Sequence, residues 1–194
     1  NGESLSIDMA VMGVGINLNT ELARGAGLDL TEEGAVLVDR YLRSSSRDIY
    51  AAGDMAAWPS MTFKDEALSG GPKRLRVEHW DVARSQGLRA GRNMAGDQQP
   101  YTTLPYFFSD LFDFSFEVWG DLSAWEETVT RGSLTEGSYS FFYFHEARLV
   151  GVLTVGRPDE EREPMQKLVR LTPQHEKVAD ALRDEGSSLA QLLS

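Results

Sequence analysis

The sequence contains no cysteine. That excludes a disulfide framework, and it excludes zinc and iron–sulfur sites that use thiolate ligands. It also leaves the region without a redox dithiol, and it fits a reducing, cytoplasmic setting. Long hydrophobic runs are missing too: nothing approaches the ~20 apolar residues that cross a bilayer, so no membrane association is expected. The opening Asn1-Gly2-Glu3 has no initiator Met, no charged n-region and no apolar h-region, and it does not read as a signal peptide. The simplest expectation is a piece of a longer chain. Positive charge is short, with 19 Lys and Arg against 30 Asp and Glu and a net charge of −11. Nucleic acid selects basic surface, so a nucleic-acid partner is not expected. The basic cluster Lys73-Arg74-Leu75-Arg76 reads as a solvated loop ahead of a helix. A complete G-x-G-x-x-G is also absent, because Gly13 and Gly15 are followed by Asn17 and Leu18 and no third Gly.

What is present is ordinary for a globular protein: 41% hydrophobic and 25% charged residues, in a chain of 194 that can hold one or two cored domains. Three blocks follow one another. From Ile7 to about Gly27 the pattern predicts a strand and a short helix, the latter carrying Leu18, Leu22 and Ala26 at helical spacing. From Ala35 to about Gly96 it predicts two strands, a long polar loop over Trp58–Arg76, and a helix. Ser69-Gly70-Gly71-Pro72 makes that loop the expected mobile segment. From Pro100 the pattern turns to aromatic-rich strands. Phe114, Phe116 and Val118 alternate along a half-buried strand, and Tyr139–Phe144 and Leu149–Val155 form a hairpin around His145-Glu146-Ala147-Arg148. Pro158 with Asp159, Glu160 and Glu161 marks a helix start, and closing helices follow over Leu168, Leu171 and Glu176–Leu182. Asp110, before Leu111-Phe112, reads as a helix cap. The expected fold class is α+β: a C-terminal antiparallel sheet flanked by helices, preceded by the C-terminal portion of an α/β, Rossmann-like domain.

The most informative stretch is Ile49-Tyr50-Ala51-Ala52-Gly53-Asp54. A short apolar run ending in Gly-Asp reads as a buried parallel strand that stops at a ligand. Gly53 lacks a Cβ, so something can approach its backbone closely. Asp54 then puts a carboxylate where open α/β sheets bind ligands, and a carboxylate suits a polyhydroxyl chain. An Asp in this place also caps loops. The helix expected over Val77–Ala95 carries Ala83, Gly87, Ala90 and Gly91 at helical spacing, so one face can pack very close to a neighbour. Its start holds partial positive charge and free amide donors near His79 and Trp80. Taken alone, Glu78 there favours the helix dipole and Trp80 is core. Trp119 and Phe107 read as core, while His145 and His175 read as exposed.

Four segments in order resemble the FAD-dependent pyridine nucleotide oxidoreductases, in the branch of apoptosis-inducing factor, monodehydroascorbate reductase and the ferredoxin and rubredoxin reductases. They are Gly13-Val14-Gly15-Ile16-Asn17-Leu18-Asn19-Thr20-Glu21-Leu22, Gly34 through Asp54, Val77-Glu78-His79-Trp80-Asp81-Val82-Ala83-Arg84, and Pro105-Tyr106-Phe107-Phe108-Ser109-Asp110. Leu18 stands where the family usually has Pro, and Phe108 where it usually has Trp, which removes an indole donor. No His-Pro pair occurs, unlike the disulfide-reductase cousins. The resemblance implies three parts: residues 1–34 as the end of an NAD-binding domain, 35–99 as the C-terminal part of an FAD-binding domain, and 100–194 as a C-terminal α+β reductase domain. It implies FAD and NAD(P)H as cofactors, held in part by Gly15, Gly53, Asp54, Glu78, His79, Trp80 and Phe108. No metal and no catalytic base are implied. The expected partners are the N-terminal FAD and NAD domains of the same enzyme and an electron-acceptor protein, and a homodimer is compatible. The implied activity passes hydride from nicotinamide to flavin and on to ferredoxin, rubredoxin or quinone. The alternative is a stand-alone C-terminal module for assembly or regulation, without activity alone.

Overall fold

The computed structural model describes residues 2–65 and 71–193. The aromatic-rich half forms one antiparallel sheet of five strands: β4 (Tyr106–Leu111), β5 (Phe114–Gly120), β6 (Glu127–Ser133), β7 (Ser138–His145) and β8 (Arg148–Val155), in the spatial order β4-β5-β8-β7-β6. The two-residue period of β7 sends Ser140, Phe142 and Phe144 inward, and its facing strand β8 buries Leu149, Val152 and Val155. The hairpin between them turns through Glu146 and Ala147 at φ +48 and +58, the mirror-image turn that suits twisted strands. Helices α3 (Asp159–Leu171) and α4 (His175–Arg183), with a short 3-10 helix at Leu189–Leu193, cover the inward face. Met165, Leu168, Val169, Val178 and Leu182 seal this layer, each large apolar chain contributing about 1.5–3 kcal/mol. The start of α3 follows Pro158 with three acidic residues in its first turn, as its sequence predicts. This is the α+β class expected.

One charge is buried in that layer. Arg131 alternates with Val129 on the inner side of β6 and is 3% exposed. Its Nε donates to Glu161 at 2.9 Å, and its remaining nitrogens donate to the carbonyls of Asp184 at 2.6 Å and Ser187 at 3.0 Å. Arg157 donates to the same Glu161 at 2.8 Å. One guanidinium therefore ties the sheet, α3 and the segment that leaves α4. The sequence carries no signal for this.

The first half holds helix α1 (Glu21–Gly25) and a three-stranded sheet: β1 (Val36–Leu37) parallel to β2 (Ala56–Asp65), which pairs antiparallel with β3 (Gly71–Leu75). Helix α2 (Trp80–Met94) follows. Several expectations are corrected here. The strand predicted after Ile7 does not form; Met9, Val11 and Val14 are solvent-exposed, and a strand without a hydrogen-bonded neighbour has no reason to persist. Leu22 is likewise exposed. The run Ile49–Asp54 is no strand: only Tyr50 bridges, to Arg43, and the chain bends and turns at Gly53 and Asp54.

Within the polar stretch Trp58–Arg76, residues 58–65 and 71–75 are antiparallel strand partners rather than a loop. Pro59 lacks an amide, yet it sits in register with Arg74, and Ser60 Oγ accepts from the amides of Thr62 and Phe63 at 3.1 and 2.8 Å, absorbing the irregularity that follows. Residues 66–70, which include part of the predicted mobile segment, lie outside the described residues. The basic cluster is no solvated loop either. Leu75 is buried, Arg74 donates to the carbonyls of Val38 and Ala57, and Lys73 pairs with Asp121. Asp110 lies in β4 and accepts from Ser115, so it caps no helix. Among the described residues, no helix is long and apolar enough to cross a membrane.

Arg131→Ala should cost about 3–5 kcal/mol, because it leaves several carbonyls without their donor and Glu161 with Arg157 alone; denaturant unfolding measures this. Burial pushes the Glu161 carboxyl up, but the hydrogen bonds from Arg157 and Arg131 outweigh that and hold it below its ordinary 4.5. A lowered folded pKa stabilises fully above the unfolded value and is lost as pH falls through the folded one. Stability should therefore decline on acidification below pH 4.5, and Glu161→Gln should flatten that decline.

Candidate functional site

The site is assembled around the start of α2. Gly53 has φ +80, a conformation that L side chains rarely adopt. A Cβ added there would lie 3.2 Å from the Cβ of Ala83 on α2. The Gly53 amide donates to Oε1 of Gln86, one turn further along that helix, at 2.7 Å. Gln86 is fully buried, and its Nε2 has no hydrogen-bond partner among the described residues. What approaches Gly53 so closely is thus the helix itself. The contact sets Asp54, which is exposed, beside the helix; among the described residues its carboxylate makes no hydrogen bond. A cavity of about 420 Å³ opens there, lined by Asn17, Asn19, Gly53, Asp54 and Ala83.

The helix starts at Trp80, three residues later than its sequence pattern suggests, because His79 is its cap. The His79 backbone is extended, and its Nδ1 accepts from the Asp81 amide at 3.2 Å. An accepting Nδ1 leaves the ring proton on Nε2. The imidazole lies 5.8 Å from the ring of Phe107 and 6.0 Å edge-on from Phe108. Phe108 is 44% exposed and stacks on Tyr106, which stacks in turn on Trp119. Trp119 is core, as expected, whereas Phe107 is only half-buried and faces a second cavity of about 430 Å³ with Arg76, Glu78 and Leu122. Burial, then the neighbouring Glu117, pushes the Tyr106 phenol up to about 12, so it stays protonated and donates to Glu117 at 2.6 Å.

Sequence-predicted residues fare unequally in this arrangement. Asp54, Glu78, His79 and Phe108 gather around the helix start. Trp80 contributes the first helical residue, but its ring is 68% exposed under the Arg84 guanidinium rather than core. Gly15 stands apart, exposed and with nothing within 4 Å of where a Cβ would be. Gly87 and Gly91 also meet open space, so their half of the predicted close-packing face is uncovered; only Ala83 and Ala90 are packed. His175 is partly buried, with its ring edge-on to Phe144 at 4.8 Å, instead of exposed. Two residues were missed. Arg76 pairs with Glu78 at 2.7 Å and reaches the Asp54 carbonyl at 3.4 Å, linking the two motifs, and the basic cluster was the signal for it. Gln86 had no signal, since a lone Gln on a helix is ordinarily surface.

Residues 1–87 match the family model described as pyridine nucleotide-disulphide oxidoreductase, and residues 106–193 match the reductase C-terminal model. The chain belongs to the pyridine nucleotide-disulphide oxidoreductase family and carries its reductase C-terminal domain. It is 34% identical over 135 residues to the ferredoxin–NAD(+) reductase component of the anthranilate 1,2-dioxygenase system of Burkholderia cepacia, covering 70% of this chain and 31% of that protein. It is 31% identical over 200 residues to monodehydroascorbate reductase 3 of Arabidopsis thaliana, covering 98% of this chain and 42% of the relative. Among solved structures, a ferredoxin reductase from Rhodopseudomonas palustris superimposes with a TM-score of 0.80 at 30% identity, over 100% of this chain and 45% of that one. The chain thus spans less than half the length of each of these proteins.

Gly53→Ala should destabilise the protein by roughly 1–3 kcal/mol, through the positive φ and the Ala83 contact together. Thermal unfolding checks it, and an unchanged midpoint would show that the turn and helix separate freely.

Proposed function

We propose that this chain forms part of an FAD-dependent NAD(P)H oxidoreductase, which passes hydride from nicotinamide to flavin and electrons on to an acceptor such as a ferredoxin, a rubredoxin or a quinone. The observation that carries the reading is the Asp54 carboxylate, left without a partner among the described residues and set by the Gly53–Ala83 contact beside the start of a fifteen-residue helix. The residues present fit the cofactor. A free carboxylate in a cavity with Asn17 and Asn19 suits the hydroxyls of a ribityl chain, and a helix start offers amides and partial positive charge to an electron-rich ring edge. FAD bound here supplies two-electron acceptance from NAD(P)H and release to the acceptor.

This chain's own residues bind and orient. Asp54 accepts hydroxyl protons in hydrogen bonds, and Gly53 keeps the helix close enough for the same group to meet both. Arg76 fixes Glu78, while His79 and Phe108 present ring faces and edges on the nicotinamide side and exclude water. Hydride transfer needs stacking and distance rather than a base, so His79 is assigned no proton-abstracting role. Residues 1–34, 35–99 and 100–194 are assigned as the end of the NAD domain, the rest of the FAD domain and the reductase domain. The exposed apolar residues Leu5, Val11 and Val14 support packing against further NAD- and FAD-domain elements, in a cytoplasmic enzyme.

In the flavin-loaded enzyme, Asp54→Ala should lower retained FAD several-fold, read as the ratio of flavin to protein absorbance, without shifting unfolding of the C-terminal domain. Equal flavin content in mutant and parent would sink the assignment. Phe108→Trp should be tolerated, since both side chains offer a stacking face; flavin loss from an intact fold would show a pocket shaped for Phe alone.

A further inference from the structure

A cavity of about 290 Å³ lies between the β2–β3 pair and the turn that joins β7 to β8. None of its lining residues belongs to the cofactor site described above. Its apolar floor is the buried Phe63 with the half-buried Ala124 and Val150. Charged groups of both signs ring it, and most of them are already matched. Lys73 pairs with Asp121 and donates to Ser123 at 2.8 Å, which closes one wall. His145 Nδ1 lies 2.8 Å from Glu126, whose carboxylate also accepts from the Glu146 amide. Two groups are left over. The Glu146 carboxylate has no partner among the described residues, and the Arg148 guanidinium has no carboxylate in reach, only the Thr172 carbonyl at a long 3.3 Å. They do not pair with each other, although only Ala147 separates them.

The backbone holds this arrangement at a cost. Glu146 and Ala147 have φ +48 and +58, in a turn that Asn and Gly fill with less strain. Such strain costs on the order of 1–3 kcal/mol for each residue, and it collects at ligand clamps. The turn carries the carboxylate and the first residue of β8 carries the guanidinium, so opposite charges share one cavity with an apolar floor. A simple anion would be repelled by Glu146, and a simple cation by Arg148. An uncharged apolar molecule would take water from both charges and replace it with nothing. A zwitterion with an apolar body satisfies all three surfaces. Size agrees, because about 290 Å³ sits at the small end of the roughly 300–1,000 Å³ of ligand pockets. That is room for a single amino acid and too little for a dinucleotide.

We propose that this cavity is a second ligand site, which takes a free α-amino acid with an apolar side chain. Arg148 donates to the ligand carboxylate, Glu146 accepts from its ammonium group, and its side chain lies on Phe63, Ala124 and Val150. The site goes beyond the oxidoreductase reading and does not depend on it. Its occupant touches β2 and β3 as well as the β7–β8 turn, so binding ties the two halves of the chain together and stabilises the fold by mass action.

Calorimetric titration of the full chain with L-phenylalanine tests this, beside three probes that each lack one feature: 3-phenylpropionate, phenethylamine and glycine. L-phenylalanine should bind once per chain, and each of the others at least about tenfold more weakly. Arg148→Gln should weaken L-phenylalanine about tenfold and leave phenethylamine unchanged. Glu146→Gln should weaken L-phenylalanine equally and leave 3-phenylpropionate unchanged. Ala124→Phe fills the floor and should abolish binding, which keeps the test open if a charge variant fails to fold. No binding of L-phenylalanine or L-leucine at millimolar concentration would overturn the proposal. Equal affinity for all four compounds, or affinity that survives both charge substitutions, would overturn it as well. NAD(P)H turnover is followed separately, and its absence bears on the oxidoreductase reading alone.

Discussion

The Gly53 amide, held by Gln86 at 2.7 Å with the backbone pressed on Ala83, positions everything else at the candidate site. Without a Cβ the Gly53 backbone can lie on α2, and with φ positive the chain can turn at once into Asp54 and β2. One contact therefore serves packing and chemistry together. It orients a carboxylate, anchors the turn that launches β2, and leaves the helix start beside both. Arg76 adds a second tie, from β3's end to Glu78 and back to the Asp54 carbonyl. The fully buried Gln86 is the residue that makes this approach specific rather than merely close, because the amide it satisfies would otherwise be costly to bury.

The C-terminal sheet is organised on a different principle. Apolar alternation alone would let α3 and α4 settle on it in several ways. The buried Arg131, reaching Glu161 and the carbonyls beyond α4, accepts only one. Such a guanidinium is expensive to desolvate, and it persists because each of its donors finds an acceptor. On the opposite edge, β4 brings Phe107 and Phe108 to His79, so the domain contributes rings to a site whose carboxylate comes from the other half. The sheet is a platform with one aromatic edge at the start of α2.

Legibility in the sequence followed the range of the forces involved. The β7–β8 hairpin and the start of α3 are written locally, in a period of two and in a Pro followed by three acids, and they were readable. The core place of Trp119 was readable for the same reason. The strand status of Trp58–Asp65 was not, because Pro59 and the polar residues around it look like a loop until Ser60 is seen holding the irregular turn. Phe107 was assigned to the core on its hydrophobicity, yet β4 is an edge strand and sends it toward a cavity. Ala83, Gly87, Ala90 and Gly91 read as one close-packing face, while Ala83 and Ala90 are packed and both glycines meet open space.

By itself the sequence determined composition-level facts and local patterns: no thiol chemistry, an acidic surface, an α+β order of elements, and a Gly-Asp pair followed by a His-led helix. These depend on residue identity and short spacing, which need no third dimension. Only the tertiary structure decided that Gly53 packs on Ala83, that Gln86 and Arg76 join the site, and that Arg131 locks the sheet to its helices. Each of those joins residues far apart in the chain, and their meeting is set by how whole layers pack rather than by any local preference.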